Sequence, residues 1–441
     1  MESRVDAPIP ADNGASIAGR VGNVRWTICA MLFIATSINY MDRQVLSLLK
    51  PTLMHSVAHG GIGMTEVGYG YIMAAFQVAY AVGLLVAGRF IDRVGTRIGY
   101  MMVMGIWSLA AMGHALVGSM FEFGIARVCL GLGESGNFPA AIKTVAEWFP
   151  QRERSLATGI FNSGANMGAI LAPVLVPWVA LRYSWHAAFL ITGAISATWI
   201  VLWFFNYRRP TEHPRLAASE LRHINEGMVE SRAPATPWLR LLGFRQTWGY
   251  AIGKALTDPI WWFFLFWLPD FFSKRYGLDL KNIGPPLVMV YTASSVGSIL
   301  GGWLPAPFLR MGFSAARARL SAMFICACAV VPIVSVTHVH AEWIAVALLG
   351  LAAAAHQGWS ANIFTTASDM FPRSEVGSVT GIGGMAGSAA GSLFAIFVGY
   401  VLAFTHSNYT ILFAIAASAY LLALAVLVTL APGLRKVEIP A

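Results

Sequence analysis

Long apolar runs separated by short polar connections fill most of this 441-residue chain. A helix needs about 20 apolar residues to cross the hydrocarbon core of a bilayer. Twelve runs approach or exceed that length, so we predict an all-α membrane protein with twelve transmembrane helices. Because twelve is an even number, both termini lie on the same side of the membrane. The predicted spans are roughly 25–49, 68–91, 97–119, 122–146, 155–179, 184–206, 246–272, 283–308, 318–337, 341–366, 376–404 and 409–431.

Composition agrees with this pattern. Apolar residues make up 57% of the chain and charged residues 12%, whereas a soluble domain carries about a quarter charged residues. Residues 1–24 mix charges with proline, alanine and glycine and contain no apolar run before a cleavage site, so they are predicted to be a cytoplasmic tail. The four cysteines lie inside apolar runs without the spacing of a ligand set, so no metal site is predicted.

The distribution of arginine orients the spans. Arginines concentrate in alternate connections, on the side where the termini lie, as cytoplasmic loops of membrane proteins do. This bias accounts for the net charge of +9 without a nucleic-acid partner. We predict a first six-helix half at 25–206, a cytoplasmic linker at 207–245, a second half at 246–431 and a cytoplasmic tail at 432–441. The arginines of the short connections are Arg89, Arg93, Arg97, Arg152, Arg154, Arg310, Arg317, Arg319 and Arg373.

An internal repeat supports two equivalent halves. The segment that begins Glu147-Trp-Phe-Pro recurs 222 residues later as Asp369-Met-Phe-Pro, and further identities follow at the same offset through Ile160 and Ile382. Both copies lie where the fourth predicted span of a half meets the fifth. Parallel repeats of this kind are related by an axis along the membrane normal. The same offset places His356 in the second half where Glu134 stands in the first.

A glycine- and arginine-rich link joins the second and third spans. Its pattern resembles the hallmark loop of the major facilitator superfamily, Gly-x-x-x-Asp-Arg-x-Gly-x-Arg/Lys. The glycines permit close approach of helices, and the resemblance implies a role in gating rather than in substrate choice. The residues that carry the pattern are Gly88, Asp92, Arg93, Gly95 and Arg97.

Ionisable residues inside predicted spans are costly in a bilayer and are usually functional. At 1.5 Å per residue, Arg43 lies about 10 Å and Arg127 about 8 Å below the same membrane surface. Two guanidinium groups at similar depth suit a planar carboxylate. Glu134 is two turns beyond Arg127 on the same helical face and lies near the midplane. A fixed bridge between Asp42 and Arg127 is the structural alternative.

Lys254 and Asp258 lie four residues apart in the seventh predicted span. Residues at this spacing are neighbours on a helix surface. They can satisfy each other's charge or take part in a site, and the spacing does not separate these two interpretations.

The segment Asn39-Tyr-Met-Asp42-Arg43, taken with Arg127 and Glu134, resembles the anion:cation symporter branch of the major facilitator superfamily. Further stretches resemble bacterial hexuronate transporters, among them Trp267-Leu-Pro and Ala355-His356-Gln357. This resemblance covers nearly the whole chain.

The resemblance implies proton-driven uptake of a sugar acid such as galacturonate or glucuronate across a bacterial inner membrane. It also implies that Arg43 and Arg127 bind the carboxylate while Asp42 and Glu134 carry protons. The acid at Asp42 is a feature of aldonate carriers, so an aldonate such as galactonate is an alternative substrate.

We therefore expect a proton-coupled importer of a monocarboxylate sugar acid, with protons and the organic anion as its partners, no cofactor and a monomeric state. The candidate ligands for the substrate besides the arginines are Tyr40, Asn162, His356, Gln357 and Asn362. An exchanger or exporter of another organic anion is an alternative. A membrane anion sensor would need an output domain, for which the tails are too short, and no nucleophile–base set suggests an enzyme.

Overall fold

A computed structural model describes residues 22–150, 153–225 and 238–437, except for the side chains of Leu85, Asp92, Ser155, Trp238, Arg373 and Ser374. Throughout these ranges the regular structure is helical. The helices of the first half are α1 (Val24–Met54), α2 (Glu66–Val94), α3 (Thr96–Gly113), α4 (Met120–Glu134), α5 (Asn137–Trp148), α6 (Arg154–Arg182) and α7 (Trp185–Asn206).

Two short helices, α8 (Ala218–Asn225) and α9 (Trp238–Leu241), occupy the connection between the halves. The second half contains α10 (Arg245–Tyr276), α11 (Gly284–Trp303), α12 (Pro305–Arg310), α13 (Ala315–Val330), α14 (Glu342–Met370), α15 (Arg373–Phe404) and α16 (Thr410–Leu430).

The predicted twelve-span, two-half architecture is confirmed. Ten helical segments of the described chain are long and apolar enough to cross a membrane by length and composition. The two remaining predicted spans are the fourth and the seventh of the twelve. The fourth is divided into α4 and α5 at Ser135 and Gly136. The seventh is α10, which carries Lys254 and Asp258 in its apolar stretch. Lone polar residues in a span lower its mean hydropathy without preventing a helix.

The end of the bundle that holds the start of α1 and the connection between the halves is called the linker face here, and the opposite end the far face. At the linker face, the Glu220 carboxylate of α8 accepts hydrogen bonds from the backbone amides of Val24 and Arg25, at 3.3 and 3.1 Å. A carboxylate at this position satisfies free amides of the first turn and interacts favourably with the helix dipole. The linker therefore holds the first transmembrane helix at its beginning.

Glu153 belongs to the same contact. Arg25 Nε and the imidazole of His223 both lie within hydrogen-bond distance of its carboxylate, at 2.9 and 2.8 Å. Partial burial opposes ionisation of Glu153, but the hydrogen bonds and charges of these two partners lower its pKa below the ordinary value. Glu153, which directly precedes α6, therefore joins α1 to α8.

The glycine- and arginine-rich link forms a sharp turn between α2 and α3. Gly95 has φ of +89°, a left-handed conformation that favours glycine. Arg97 donates a 2.7 Å hydrogen bond to the carbonyl of Phe204 and so fastens this turn to α7. Gly88 and Arg93 lie in the last turns of α2, whereas the side chain of Asp92 is outside the described part. The role of this link in gating stays a prediction.

The two halves meet along three helix pairs: α2 with α15, α1 with α10, and α6 with α11. At the far face the halves are joined by the Tyr69 hydroxyl of α2, which donates a 2.7 Å hydrogen bond to the carbonyl of Phe266 on α10. Toward the linker face the halves separate around a cavity. The bundle is therefore closed at the far face and open between the halves at the linker face.

Candidate functional site

A cavity of about 560 Å³ lies between the two halves. The first half contributes α1, α5 and α6, and the second contributes α10, α11 and α14. Its lining combines apolar and aromatic side chains with many polar groups, which suits a small-molecule site. The polar and aromatic lining residues are Phe33, Tyr40, Phe138, Asn162, Ser163, Asn166, Lys254, Asp258, Trp261, Trp262, Ser295, Ser298, His356, Gln357, Ser360 and Phe364.

A buried ion pair lies directly behind this wall. Arg43 Nε and Glu134 Oε2 are 2.5 Å apart, and both side chains are almost fully buried, at 1% and 0% exposure. Glu134 is the last residue of α4, where the fourth span is interrupted. Taking a charge pair out of water is unfavourable unless its geometry is good and its remaining polar atoms are satisfied. The pair is therefore an energetically costly feature of the fold.

Aromatic rings enclose the guanidinium of Arg43. Its central carbon lies 4.7 Å from the ring centre of Tyr40, 4.6 Å from that of Tyr80 and 5.3 Å from that of Trp262. Such contacts attract a cation to the face of the ring. Tyr40 and Trp262 also line the cavity. Arg43 is therefore separated from the cavity by the thickness of one aromatic layer.

The pair is not saturated with hydrogen bonds. Within the described chain, Arg43 Nη2 and Glu134 Oε1 are buried without a partner, and so is Nε of the neighbouring Arg127. Arg127 Nη2 donates to the backbone carbonyl of Arg43 at 3.4 Å, and Arg127 forms no ion pair with a described residue. Buried polar atoms of folded proteins are nearly always paired. Both guanidinium groups therefore retain unused donors, although Arg127 itself does not line the cavity.

Asp42 faces a different part of the bundle. Its carboxylate accepts hydrogen bonds from Trp107 Nε1 at 2.6 Å and from the Ser196 hydroxyl at 2.9 Å, on α3 and α7. Neighbouring residues of a helix point about 100° apart, so Asp42 and Arg43 contact different parts of the bundle. The alternative bridge between Asp42 and Arg127 is not formed.

Of the five predicted substrate ligands besides the arginines, Tyr40, Asn162, His356 and Gln357 line the cavity. His356 Nδ1 lies 2.6 Å from the Tyr420 hydroxyl, and its ring stacks on Trp261 with the ring centres 5.1 Å apart. This leaves its Nε2 without a described hydrogen bond.

Asn362 lies elsewhere. It donates to the carbonyls of Gly301 and Gly358 at 2.8 and 2.9 Å, between α14 and α11. These contacts place Asn362 in the packing of the second half, whereas the other four side chains reach the cavity.

Several lining residues were not among the predicted ligands. Asn166 follows Asn162 by one turn of α6, and Ser360 follows Gln357 on α14, so helical spacing from the predicted ligands could have identified both. Ser295 and Ser298 on α11 gave no such signal, because single serines in apolar spans are common. Lys254 and Asp258 were recognised as a pair but were not assigned to the site.

A second charged cluster closes the far face. Lys50 on α1 lies 2.7 Å from Glu66 of α2 and 2.8 Å from Asp270 of α10. Lys274, one turn after Asp270, pairs with both acids, and Asp270 also accepts a hydrogen bond from the Tyr409 hydroxyl. We call these five residues the far-face cluster. Since its members come from both halves, the cluster must separate whenever the far face opens.

Twelve transmembrane helices in two halves, with a central polar cavity closed at one end, form the architecture of a secondary transporter. The family model of the Major Facilitator Superfamily matches residues 32–395. The chain belongs to this superfamily, which confirms the family predicted from the glycine- and arginine-rich link. The family consists of membrane transporters of small molecules, not of enzymes.

Two relatives are named as transporters of sugar acids. The chain is 34% identical over 385 residues to the hexuronate transporter of Escherichia coli K12, covering 86% of this chain and 88% of that one. It is 35% identical over 294 residues to the galacturonate transporter of Dickeya chrysanthemi, covering 66% and 84%. The predicted resemblance to hexuronate transporters is therefore confirmed.

A solved structure shows the same fold. The xylose transporter of E. coli in an inward open conformation superposes with a TM-score of 0.70 at 15% identity, over 92% of this chain and 96% of that one. At this identity the likeness concerns the fold alone.

Proposed function

We propose that this protein is a proton-coupled importer of a monocarboxylate sugar acid, most specifically a hexuronate such as galacturonate or glucuronate. The observation that carries the proposal is the buried pair of Arg43 and Glu134 behind the wall of the central cavity. A guanidinium held by a protein carboxylate is a site that another carboxylate can occupy once the first is neutralised. The names of the two relatives support the choice of sugar acid.

The ion pair links proton binding to anion binding, because the Glu134 carboxylate and the substrate carboxylate compete for Arg43. Breaking a buried ion pair by losing one partner costs about 3–5 kcal/mol, because the remaining charge stays unpaired. If a proton reaches Glu134 while a substrate carboxylate reaches Arg43, the guanidinium keeps a partner throughout. Either event alone leaves an unbalanced buried charge. Binding of the proton and of the anion therefore favour each other.

Arg127 completes the anion site. Its unpartnered Nε, and its Nη2 within hydrogen-bond distance of the Arg43 backbone carbonyl, support this role. Two guanidinium groups present enough donors to bind both oxygens of one carboxylate. Asp42 is the second proton carrier in this proposal, although its hydrogen bonds with Trp107 and Ser196 direct it away from the cavity.

The uncharged part of the substrate lies in the cavity. Tyr40, Asn162, His356 and Gln357 are the proposed hydroxyl ligands, since each combines a polar group with a position on the wall. Asn362 supports α14 from behind and is proposed to position this wall. The stacked rings of Trp261 and His356 offer an apolar face to a sugar ring.

Transport proceeds by alternating access, in which the two halves rock about the central site. We assign the linker face to the cytoplasm of a bacterial inner membrane, because the arginine-rich connections lie there. The conformation described here is then inward-facing, with the far-face cluster closed toward the periplasm, and the protein acts as a monomer. An aldonate such as galactonate is the alternative substrate, favoured by the acid at Asp42.

Uptake by purified protein in liposomes tests the proposal. Labelled galacturonate should accumulate when the outside is made acidic, and a protonophore should abolish the accumulation. Unlabelled glucuronate and galactonate, added as competitors, distinguish a hexuronate carrier from an aldonate carrier. Accumulation that ignores the proton gradient, or competition by neither class of acid, would contradict the proposed function.

A further inference from the structure

Lys254 and Asp258 are the only formally charged side chains among the described residues that line the cavity. Lys254 Nζ lies 3.1 and 2.9 Å from the two carboxylate oxygens of Asp258, one turn further along α10. The two members differ in exposure: the side chain of Asp258 is 23% exposed and that of Lys254 only 4%. Asp258 is therefore the more accessible member of the pair.

The second half is shaped around this pair. A Cβ atom on Gly387 of α15 would lie 2.2 Å from Asp258 Oδ2, and one on Gly383 would lie 2.2 Å from the Tyr250 ring and 3.1 Å from Cδ of Lys254. Lys254 Nζ also lies 4.0 Å from the ring centre of Phe364 on α14. Two glycines one turn apart and an aromatic ring thus enclose the pair. Such an arrangement fixes the direction in which the carboxylate points.

A carboxylate on the wall of an anion carrier needs an explanation, because it repels the substrate's own charge. The position of Asp258 supplies one. Trp262, one turn or about 6 Å further along α10, contacts Arg43. A pyranose acid with its carboxylate near Arg43 therefore extends its hydroxyl groups toward Asp258. A carboxylate accepts hydrogen bonds from two hydroxyl groups at once.

We propose that Asp258, paired with Lys254, binds the hydroxyl end of the substrate and excludes molecules that carry a second carboxylate there. This inference rests on the proposed function and specifies its substrate class. Arg43 and Arg127 bind the carboxylate end of the substrate, and Asp258 binds its hydroxyl end. A dicarboxylate of the same carbon skeleton, such as galactarate, places a negative charge against Asp258. Specificity gained by repelling the wrong ligand is common in binding sites.

Displacement of labelled galacturonate from the purified full chain tests this role. For the wild-type protein we expect galactarate to compete at least tenfold more weakly than galacturonate. D258N keeps the size of the side chain and removes its charge, so the discrimination against galactarate should fall about tenfold while galacturonate itself binds more weakly. D279N, which removes an exposed carboxylate outside the cavity, is the matched control and should leave the discrimination unchanged.

Two further variants distinguish the effect of the lost charge from the effect of misfolding. K254Q leaves Asp258 without its partner. It should weaken the binding of both galacturonate and galactarate while retaining the discrimination between them. The double variant K254Q/D258N removes both charges and should again lose the discrimination. Equal binding of the two acids by the wild type, or unchanged discrimination in both variants that lack Asp258, would overturn the inference. Failure of wild-type protein to bind either hexuronate would instead contradict the proposed function.

Discussion

The far-face cluster allows a quantitative prediction about conformation. Lys50 is fully buried and pairs with Glu66 and Asp270, so K50M leaves two buried acids with Lys274 alone. Losing one partner of a buried pair costs about 3–5 kcal/mol, and we take about 3 kcal/mol because one lysine remains. Since about 1.4 kcal/mol corresponds to a factor of ten, the closed far face should lose roughly a hundredfold in population. The open far face exposes these groups to water and escapes this penalty.

Cysteine accessibility measures this shift. Ala395 on α15 is buried in the contact between the halves, whereas Ser360 lines the cavity. In a background without the four native cysteines, a membrane-impermeant maleimide applied at the far face should label A395C much faster when K50M is present. From the same side, S360C should also become accessible.

Graded variants control for nonspecific damage. Y409F removes one hydrogen bond to Asp270 and should shift labelling only several-fold, because such a bond contributes about 1 kcal/mol. K50R keeps the positive charge, so A395C should be nearly as protected from labelling as it is with Lys50. Unchanged labelling of A395C in folded K50M protein would refute the assignment of the cluster as the element that holds the far face closed.

Four further predictions concern the site and the linker. R43K and R127K keep a charge but lose the planar fork of donors, so each should reduce galacturonate uptake about tenfold or more at normal expression; full transport by either would reject the carboxylate site. E134Q should bind and exchange substrate yet fail to accumulate it against a gradient, whereas equal loss of binding and accumulation would make Glu134 a ligand or a structural residue. H356Q should retain uptake with an unchanged pH profile and H356A should raise the apparent KM several-fold; loss of proton coupling in H356Q would place His356 on the proton path. Because the pKa of Glu153 is lowered on folding, its contact contributes stability above its ordinary pKa of 4.5 and loses it as the pH falls through the lower folded value; proteolysis of the linker should therefore increase at low pH in the wild type and be less pH-dependent in E153Q.

The architecture could be predicted from the sequence because the bilayer leaves few alternatives. Each span must satisfy its own backbone hydrogen bonds, so runs of apolar residues give the number of helices directly. The break after Glu134 was not predicted, since Ser135 and Gly136 are ordinary residues in a membrane helix. Small residues of this kind also serve close packing, and their presence does not distinguish packing from interruption.

The site was less accessible to sequence reasoning. Spacing along a helix indicates which residues share a face, but not which neighbouring helix the face meets. Asp42 and Arg43 are adjacent, and only the packing of α3 and α7 directs Asp42 to Trp107. The partner of Arg43 is Glu134, 91 residues away. The far-face cluster likewise joins Lys50 to Asp270 across the two halves, a distance in sequence that no local pattern spans.

The aromatic layer over Arg43 has a consequence for affinity. Tyr40 and Tyr80 belong to the first half, whereas Trp262 belongs to the second. If the halves rock as proposed, the rings of the first half move with Arg43 and the indole of Trp262 does not. The electrostatic field of the Arg43 guanidinium in the cavity would then change, because the low-dielectric ring of Trp262 would enter or leave the space between them. The affinity for the substrate would then change together with the side from which the site is reached.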